Sequence, residues 1–250
     1  IVEEIAKVLF KKALKDYYIN LDPTSIYHLT DEEIVKIATV FGAYWQYDYK
    51  AAEEEGKVGM HAILKSERHS DGFFVSKILL QHPNIRRIMA QQIVLRLNQE
   101  MTDKPDWIIG VPDGATELAK DVAEIMGVKI AEMKKINGKL TLISEIRPGE
   151  KVLLVEDFCI RGTGFSEAVR EVLLKQPEAI ILPYNPVILN RGGLSEIVIE
   201  GIGKFKVVAI VEHMVNDWLP EECPLCKIGS KPIKPKQTDE NWKQITTSQQ

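Results

Sequence analysis

Apolar positions in the first hundred residues recur at helical spacing. Ile1, Ile5, Val8, Leu9 and Lys12 share one face, and Thr30 followed by Asp31, Glu32 and Glu33 has the form of a capping box opening a helix toward Trp45. Residues 1–60 therefore read as a helical cover and not as part of a sheet. Pro83 opens a further helix with Ile85, Ile88, Met89, Ile93 and Leu97 at the same period. From Trp107 the pattern changes to short β-rich runs that alternate with amphipathic stretches. Trp107 to Val111 leads into Ala115, Leu118, Ala119, Val122, Ala123 and Met126, with Gly127 as the stop. Val152 to Val155 leads in the same way into Phe165, Ala168, Val169, Val172 and Leu173. Two strand-to-helix units predict a parallel sheet, and right-handed crossovers place helices on both of its faces. Ala179 to Leu182, Val187 to Leu189 and Val207 to Val211 predict further strands, so the fold class is α/β. The last ten residues, polar apart from Trp242 and Ile245, read as a loosely held tail.

Composition narrows the classes of protein this can be. The 250 residues carry 32 basic and 36 acidic side chains, a formal charge of −4, and 45% are hydrophobic. Such a chain can bury a sizeable core without staples, as one large domain or as a core with an accessory piece. A mildly acidic total offers no general field for nucleic acid or an anionic membrane, although a local basic pocket can still hold a phosphate compound. Three cysteines argue against a secreted disulfide framework, and no apolar run approaches a membrane span. The start carries Glu3 and Glu4 where a leader would be basic, and Ile1 is not an initiator Met. The expectation is a cytoplasmic protein that neither binds nucleic acid nor sits in a membrane.

The chemistry concentrates where Val152-Leu153-Leu154-Val155 runs into Glu156-Asp157 and then Phe158 to Gly164. In open α/β sheets ligands bind beyond the carboxyl ends of strands, where the two acids are expected. The short Gly-containing loop before the following helix can bind phosphate through its backbone N–H groups and the helix dipole. An acid pair beside a phosphate cradle suits a phosphorylated sugar. A buried strand leaving through a polar turn is the plainer alternative.

This stretch resembles the phosphoribosyl pyrophosphate signature of the type I phosphoribosyltransferases, and Gly162-Thr163-Gly164 is similar to the Gly-Thr-Ala part of the orotate phosphoribosyltransferase loop. Ile160 stands where the family usually has a hydroxyl residue on the phosphate, and Arg161 where it has a small one. Gly110 to Ala119, with Asp113, Gly114 and Ala115, resembles the family's pyrophosphate loop. At Gly114 the family often has a lysine or a hydroxyl, and Asp113 beside an anion implies an intervening Mg²⁺. His61 to Phe74 resembles the family's hood. The resemblance implies that Lys65 reaches the base and the reacting centre, and that Phe73 and Phe74 pack on the base. Arg191, in Asn190-Arg191-Gly192-Gly193, matches the arginine that takes the carboxylate of orotate, with Asn190 in place of an acid. Lys134 to Lys139 lies where the family has a mobile catalytic loop. Lys135 matches its catalytic lysine, and Asn137 replaces a histidine or tyrosine. A surface arginine in a turn and a solvated charge run are the plain alternatives for Arg191 and for Lys134-Lys135.

The resemblance therefore implies an orotate phosphoribosyltransferase of pyrimidine biosynthesis. It would convert orotate and phosphoribosyl pyrophosphate to orotidine 5-phosphate and pyrophosphate, with Mg²⁺ as cofactor and a homodimer as the assembly. Glu156 and Asp157 would hold the ribose hydroxyls, Ile160 to Gly164 the 5-phosphate, and Lys135 and Lys65 the charge of the leaving group. On this reading residues 1–60 are a helical extension, 61–215 the core with its hood, and 216–250 a C-terminal segment. Transfer to another base remains open, as does a phosphoribosyl pyrophosphate-binding regulatory protein without turnover. Cys223-Pro224-Leu225-Cys226 has the spacing of a zinc knuckle, but with only His213 near in sequence it reads first as free thiols, since a metal would need ligands from elsewhere or from another chain. His28, His61, His69 and His82 show no ligand spacing and read as surface or cap residues.

Overall fold

The computed structural model describes residues 2–212 and 215–250, and before Leu9 the side chain of Ala6 alone. The chain divides into two units, Ile1–Val40 with Ser76–Met214, and Phe41–Val75 with Val215–Gln250. Both are discontinuous: one boundary falls within a residue of the expected cut at 215, whereas the expected cut at 60 lies inside the second unit, whose first segment runs from Phe41 to Val75.

The first unit is built around the strand Lys151–Cys159. Val152 to Val155 are completely buried, as a continuous apolar run requires when both faces of its sheet are covered. Trp107–Gly110 lies parallel on one side of this strand and Tyr184–Asn190 parallel on the other. Lys129–Ala131 extends the sheet beyond the first and Gly203–Val211 beyond the second, with Glu196–Ile199 antiparallel at that edge. The sheet is thus mostly parallel and flanked by helices, as expected for the α/β class. Thr116–Met126 turns Leu118, Ala119, Val122 and Ala123 inward and stops at Gly127, whose φ of +62° suits a residue without a Cβ. Thr163–Lys175 buries Phe165, Ala168, Val169 and Val172. Pro83–Glu100 buries Ile85, Ile88, Met89, Ile93 and Leu97 completely.

Val2–Asn20 and Asp31–Val40 supply the helices expected at the start. The capping box forms reciprocally: Glu33 N–H donates to Thr30 Oγ1 at 3.3 Å, and Thr30 N–H donates to the Glu33 carboxylate at 2.8 Å. Two expectations for residues 1–60 are corrected. The helix ends at Val40, because Gly42 turns the chain at φ +71° and Trp45 enters a strand, Tyr44–Gln46, opposite Phe73. Leu9 is 60% exposed, so the stripe it was assigned to is not buried at that position. Ile1 and the side chains of Ile5 and Val8 lie outside the described residues.

In the second unit Tyr44–Gln46 pairs antiparallel with Gly72–Phe74. A four-stranded sheet runs Asp217–Trp218, His69–Ser70, Met60–Ile63 and Lys231–Ile233. Trp45, Tyr47, Ala62, Cys223, Leu225 and Ile245 form its core, with Phe73, Trp218 and Trp242 packed against them. The expected loose tail is instead a helix, Asp239–Thr247, capped by Thr238 Oγ1 accepting from Asn241 N–H at 3.0 Å. Trp242 and Ile245 are three residues apart, so both fall on the inner face of this helix. Gln249 fastens the end by accepting from Asp48 N–H at 2.9 Å and donating to Lys57 O at 3.0 Å. Replacing the fully buried Ile245 with alanine is expected to cost about 2–4 kcal/mol in urea unfolding. A loss below about 0.5 kcal/mol, the usual surface value, would show that the segment is not packed.

Candidate active site

The acid pair stands at a step in the sheet. Gly110 opposite Val155 is the last pair with one neighbouring strand, whereas the other continues through Val187 opposite Glu156 to Asn190 opposite Cys159. Glu156 and Asp157 therefore lie past the end of one neighbour while still held by the other. They are not beyond their own strand, as expected, but inside it.

Its surroundings set the protonation of the first of them. Glu156 is buried, and its pKa is pushed up to about 8, first by loss of solvent and then by the neighbouring Asp157 charge. The Asn185 amide, at 3.5 Å, and the Phe165 backbone N–H act in the opposite direction. Asn185 Oδ1 is the single buried side-chain oxygen or nitrogen without a partner among the described residues. Asp157 accepts from Ser76 Oγ at 2.7 Å and from the Phe158 N–H at 3.0 Å. Ser76 and Asn185 are the contributors the sequence reading missed, because no spacing along the chain links residue 76 or 185 to 156–157.

Two glycines close on these carboxylates. A Cβ at Gly114 would collide with the Asp157 carboxylate, and one at Gly164 would stand 2.8 Å from Glu156 Oε1. The lysine or hydroxyl common at the first position has no room here, which accounts for that departure. Ala115 is buried beneath the loop, while Asp113 and Gly114 are exposed on it. In the other loop Gly162 adopts φ +68° immediately before the helix, where the Ser166 N–H and hydroxyl both donate to its carbonyl. Ile160 is 51% exposed, and Arg161 and Thr163 are exposed beside it.

The segment carrying Arg191 is fastened to this loop. The N–H groups of Arg191 and Gly192 both donate to Cys159 O, at 2.9 and 3.1 Å, and a Cβ at Gly192 would strike the Ile160 carbonyl. Asn190 accounts for its own departure from the family. Its amide donates to Glu212 at 2.9 Å and to Leu194 O at 2.8 Å, so an acid there would face a second carboxylate.

The expected mobile lysine loop is a β-hairpin. Met133–Ile136 pairs with Lys139–Leu142 through Asn137 and Gly138, at φ +49° and +79°, a two-residue turn that favours Asn-Gly. Backbone geometry thus explains Asn137. Met133 and Leu142 are buried at the base, and Lys135 is exposed nearer the tip. Lys134 pairs with Glu132 at 2.9 Å.

Lys65, Phe73 and Phe74 belong to the second unit. Lys65 is exposed in the turn between Met60–Ile63 and His69–Ser70. Phe73 lies 6.1 Å from Trp242, ring to ring, and Phe74 lies 6.4 Å from Tyr44. The same unit corrects the reading of the histidines. His61 and His69 are buried, not surface residues, and their ring nitrogens lie with the sulfurs of Cys223 and Cys226 in one group spanning 4.8 Å. Ligands from elsewhere in this chain thus stand beside the cysteine pair. His213 lies outside the described residues.

No family model matches the sequence. A curated orotate phosphoribosyltransferase of a Thermoanaerobacter species is 31% identical over 181 residues, covering 70% of this chain and 87% of the relative. One from a Nitratiruptor species is 28% identical over 183 residues, covering 70% and 90%. Among solved structures, orotate phosphoribosyltransferase from Aeropyrum pernix shares the fold with a TM-score of 0.52 at 16% identity, over 71% of this chain and 93% of that one.

The protonation of Glu156 has a measurable consequence. Unfolded, it titrates near 4.5, and folded near 8, so between these values the native state keeps a proton that the unfolded state has released. Its contribution to stability is full below the lower value and is lost as pH rises through the upper one. Glu156→Gln, which stays neutral, is expected to gain stability relative to the parent as pH is raised from 5 to 9 in urea unfolding. An unchanging difference across that range would show an ordinary carboxylate.

Proposed function

Because the chain belongs to the orotate phosphoribosyltransferase family, we propose that it transfers the phosphoribosyl group of phosphoribosyl pyrophosphate to orotate, giving orotidine 5-phosphate and pyrophosphate. The observation that carries this reading is the close approach of the backbone at Gly114 and Gly164 to Asp157 and Glu156, which sets the acid pair against the two loops whose N–H groups would take the anions.

In this reading Asp157, fixed by Ser76, accepts from a ribose hydroxyl. Glu156, which holds its proton at pH 7, can donate to the neighbouring one. The N–H groups of the Ile160 to Gly164 loop hold the 5-phosphate at the start of a helix, with the Arg161 guanidinium beside them. The loop of Asp113, Gly114 and Ala115 takes the pyrophosphate. Arg191 suits the carboxylate of orotate, since a guanidinium meets it through two parallel hydrogen bonds. Lys135 supplies positive charge for the departing anion from the hairpin. For Lys65, Phe73 and Phe74 the support is the resemblance of their segment to the family's hood.

The donor set also suits Mg²⁺, which takes oxygen ligands: Asp113 offers an exposed carboxylate on the pyrophosphate loop, and Asp157 a second. When bound, the ion would neutralise pyrophosphate charge. Displacement at the anomeric carbon through an oxocarbenium-like state leaves the chain two tasks, to orient the sugar and to keep water from it. We further propose a cytoplasmic homodimer that binds neither nucleic acid nor membrane. Three cysteines without a disulfide and the net charge of −4 support the compartment and the absence of a nucleic-acid field, the homodimer rests on the family resemblance, and no helix among the described residues is long and apolar enough to cross a membrane.

Pyrophosphate release from phosphoribosyl pyrophosphate, measured with orotate, uracil, hypoxanthine and xanthine, is expected with orotate alone and to vanish when Mg²⁺ is chelated. Arg191→Ala should raise the KM for orotate roughly ten- to a hundredfold, the worth of a hydrogen bond to a charged group, and leave the KM for phosphoribosyl pyrophosphate nearly unchanged. Turnover of another base in preference to orotate would overturn the substrate, and calorimetric binding of phosphoribosyl pyrophosphate without product would overturn the enzyme.

A further inference from the structure

The group of His61, His69, Cys223 and Cys226 has no part in the proposed transfer. Its members come from two stretches of chain about 150 residues apart. His69 lies opposite Ile63 in the antiparallel pair, two residues on from His61, so both rings leave the same face of the sheet. Cys223 precedes the short helix Pro224–Lys227 and Cys226 lies one turn on within it, which aims both sulfurs the same way.

The nitrogen–sulfur distances around His61 and Cys226 are those of a coordination shell. His61 Nε2 lies 3.0 Å from His69 Nδ1, 3.6 Å from Cys223 Sγ and 3.5 Å from Cys226 Sγ, and Cys226 Sγ lies 3.3 Å from His69 Nδ1. A tetrahedron with metal–nitrogen bonds of about 2.0–2.1 Å and metal–sulfur bonds of about 2.3 Å has edges of roughly 3.3 to 3.8 Å, which the three nitrogen–sulfur distances meet, while the two imidazoles at 3.0 Å would move slightly apart to admit the ion. Hydrogen bonding alone does not account for this convergence. Three groups crowd one imidazole nitrogen, which has a single lone pair or a single proton to share.

The surroundings orient the ligands. His61 Nδ1 lies 3.0 Å from Ser230 Oγ, and that hydroxyl donates to Gly59 O at 3.3 Å. The serine therefore accepts the Nδ1 proton, which leaves the Nε2 lone pair facing the sulfurs. His61, His69 and Cys223 are buried, while Cys226 is half-buried and gives an ion its way in. The second unit contains only roughly 70 residues, a size at which an apolar core alone gives little stability.

We propose that His61, His69, Cys223 and Cys226 bind a divalent zinc-type ion that fastens the strands of the second unit to the Cys223–Cys226 turn. Two nitrogens and two sulfurs in tetrahedral array select zinc among common biological metals. Because the protein fills all four positions, the ion holds structure and does not activate water.

The test uses the intact chain. Elemental analysis of the purified protein is expected to find one zinc per chain, and cobalt exchange to give the visible bands of a tetrahedral thiolate site. Cys226→Ser should lower metal content about tenfold or more. Ser230→Ala, which leaves all four ligands in place, should weaken zinc affinity about tenfold in a chelator competition. Adding zinc to chelator-treated protein should raise its unfolding temperature. Absence of metal together with no thermal shift on adding zinc would overturn the proposal, as would a Cys223–Cys226 disulfide in protein purified without reductant.

Discussion

Two carboxylates side by side on a largely buried strand are mutually repulsive, and the first unit is arranged around making them compatible. One way to relieve that repulsion is to withdraw one acid from solvent until it keeps its proton, and Glu156 sits where that happens. The other way is to surround the second acid with donors, as Ser76 and the Phe158 N–H do for Asp157. Neighbouring acids thereby acquire opposite hydrogen-bonding characters, a donor beside an acceptor, which matches the two adjacent hydroxyls of a pentose. The step in the sheet is what permits this. A neighbour running full length on both sides would cover the pair, and one stopping short on both sides would leave Glu156 in water.

Much of this was legible along the chain where the physics is local. The Val152 to Val155 run, the period of Ile85 to Leu97, the Thr30 capping box and the Gly127 stop depend on residues a few positions apart, and each took the form its pattern implies. The acids and their loop were legible for the same reason. Where the reading failed, the deciding partner was remote. Trp242 and Ile245 form a helix because Trp45 and Ala62 offer a surface to bury them, and nothing within the last ten residues indicates that surface. The Lys134 to Lys139 segment is different, since its Asn-Gly turn is a local signal of a hairpin that the likeness to a mobile loop outweighed.

The departures from the family pattern divide in an instructive way. Gly114 and Asn190 answer to contacts within this chain, the first to the space above Asp157 and the second to the charge of Glu212. Asn137 answers to backbone geometry. Ile160 has no such account: it is solvent-facing, and its carbonyl, not its side chain, is what the Gly192 turn packs against. A residue type that looks like lost function in one dimension can thus be a packing requirement in three.

The second unit closes only when Val215–Gln250 joins Phe41–Val75. On the ribosome its opening half emerges roughly ten seconds before its closing half, at ordinary rates of elongation. During that interval Met60–Ile63 lacks the Lys231–Ile233 strand that covers its edge in the native sheet. Production of this chain therefore includes a waiting period in which an unfinished β-edge is exposed to its neighbours, and factors that cap such edges would raise the yield of native molecules.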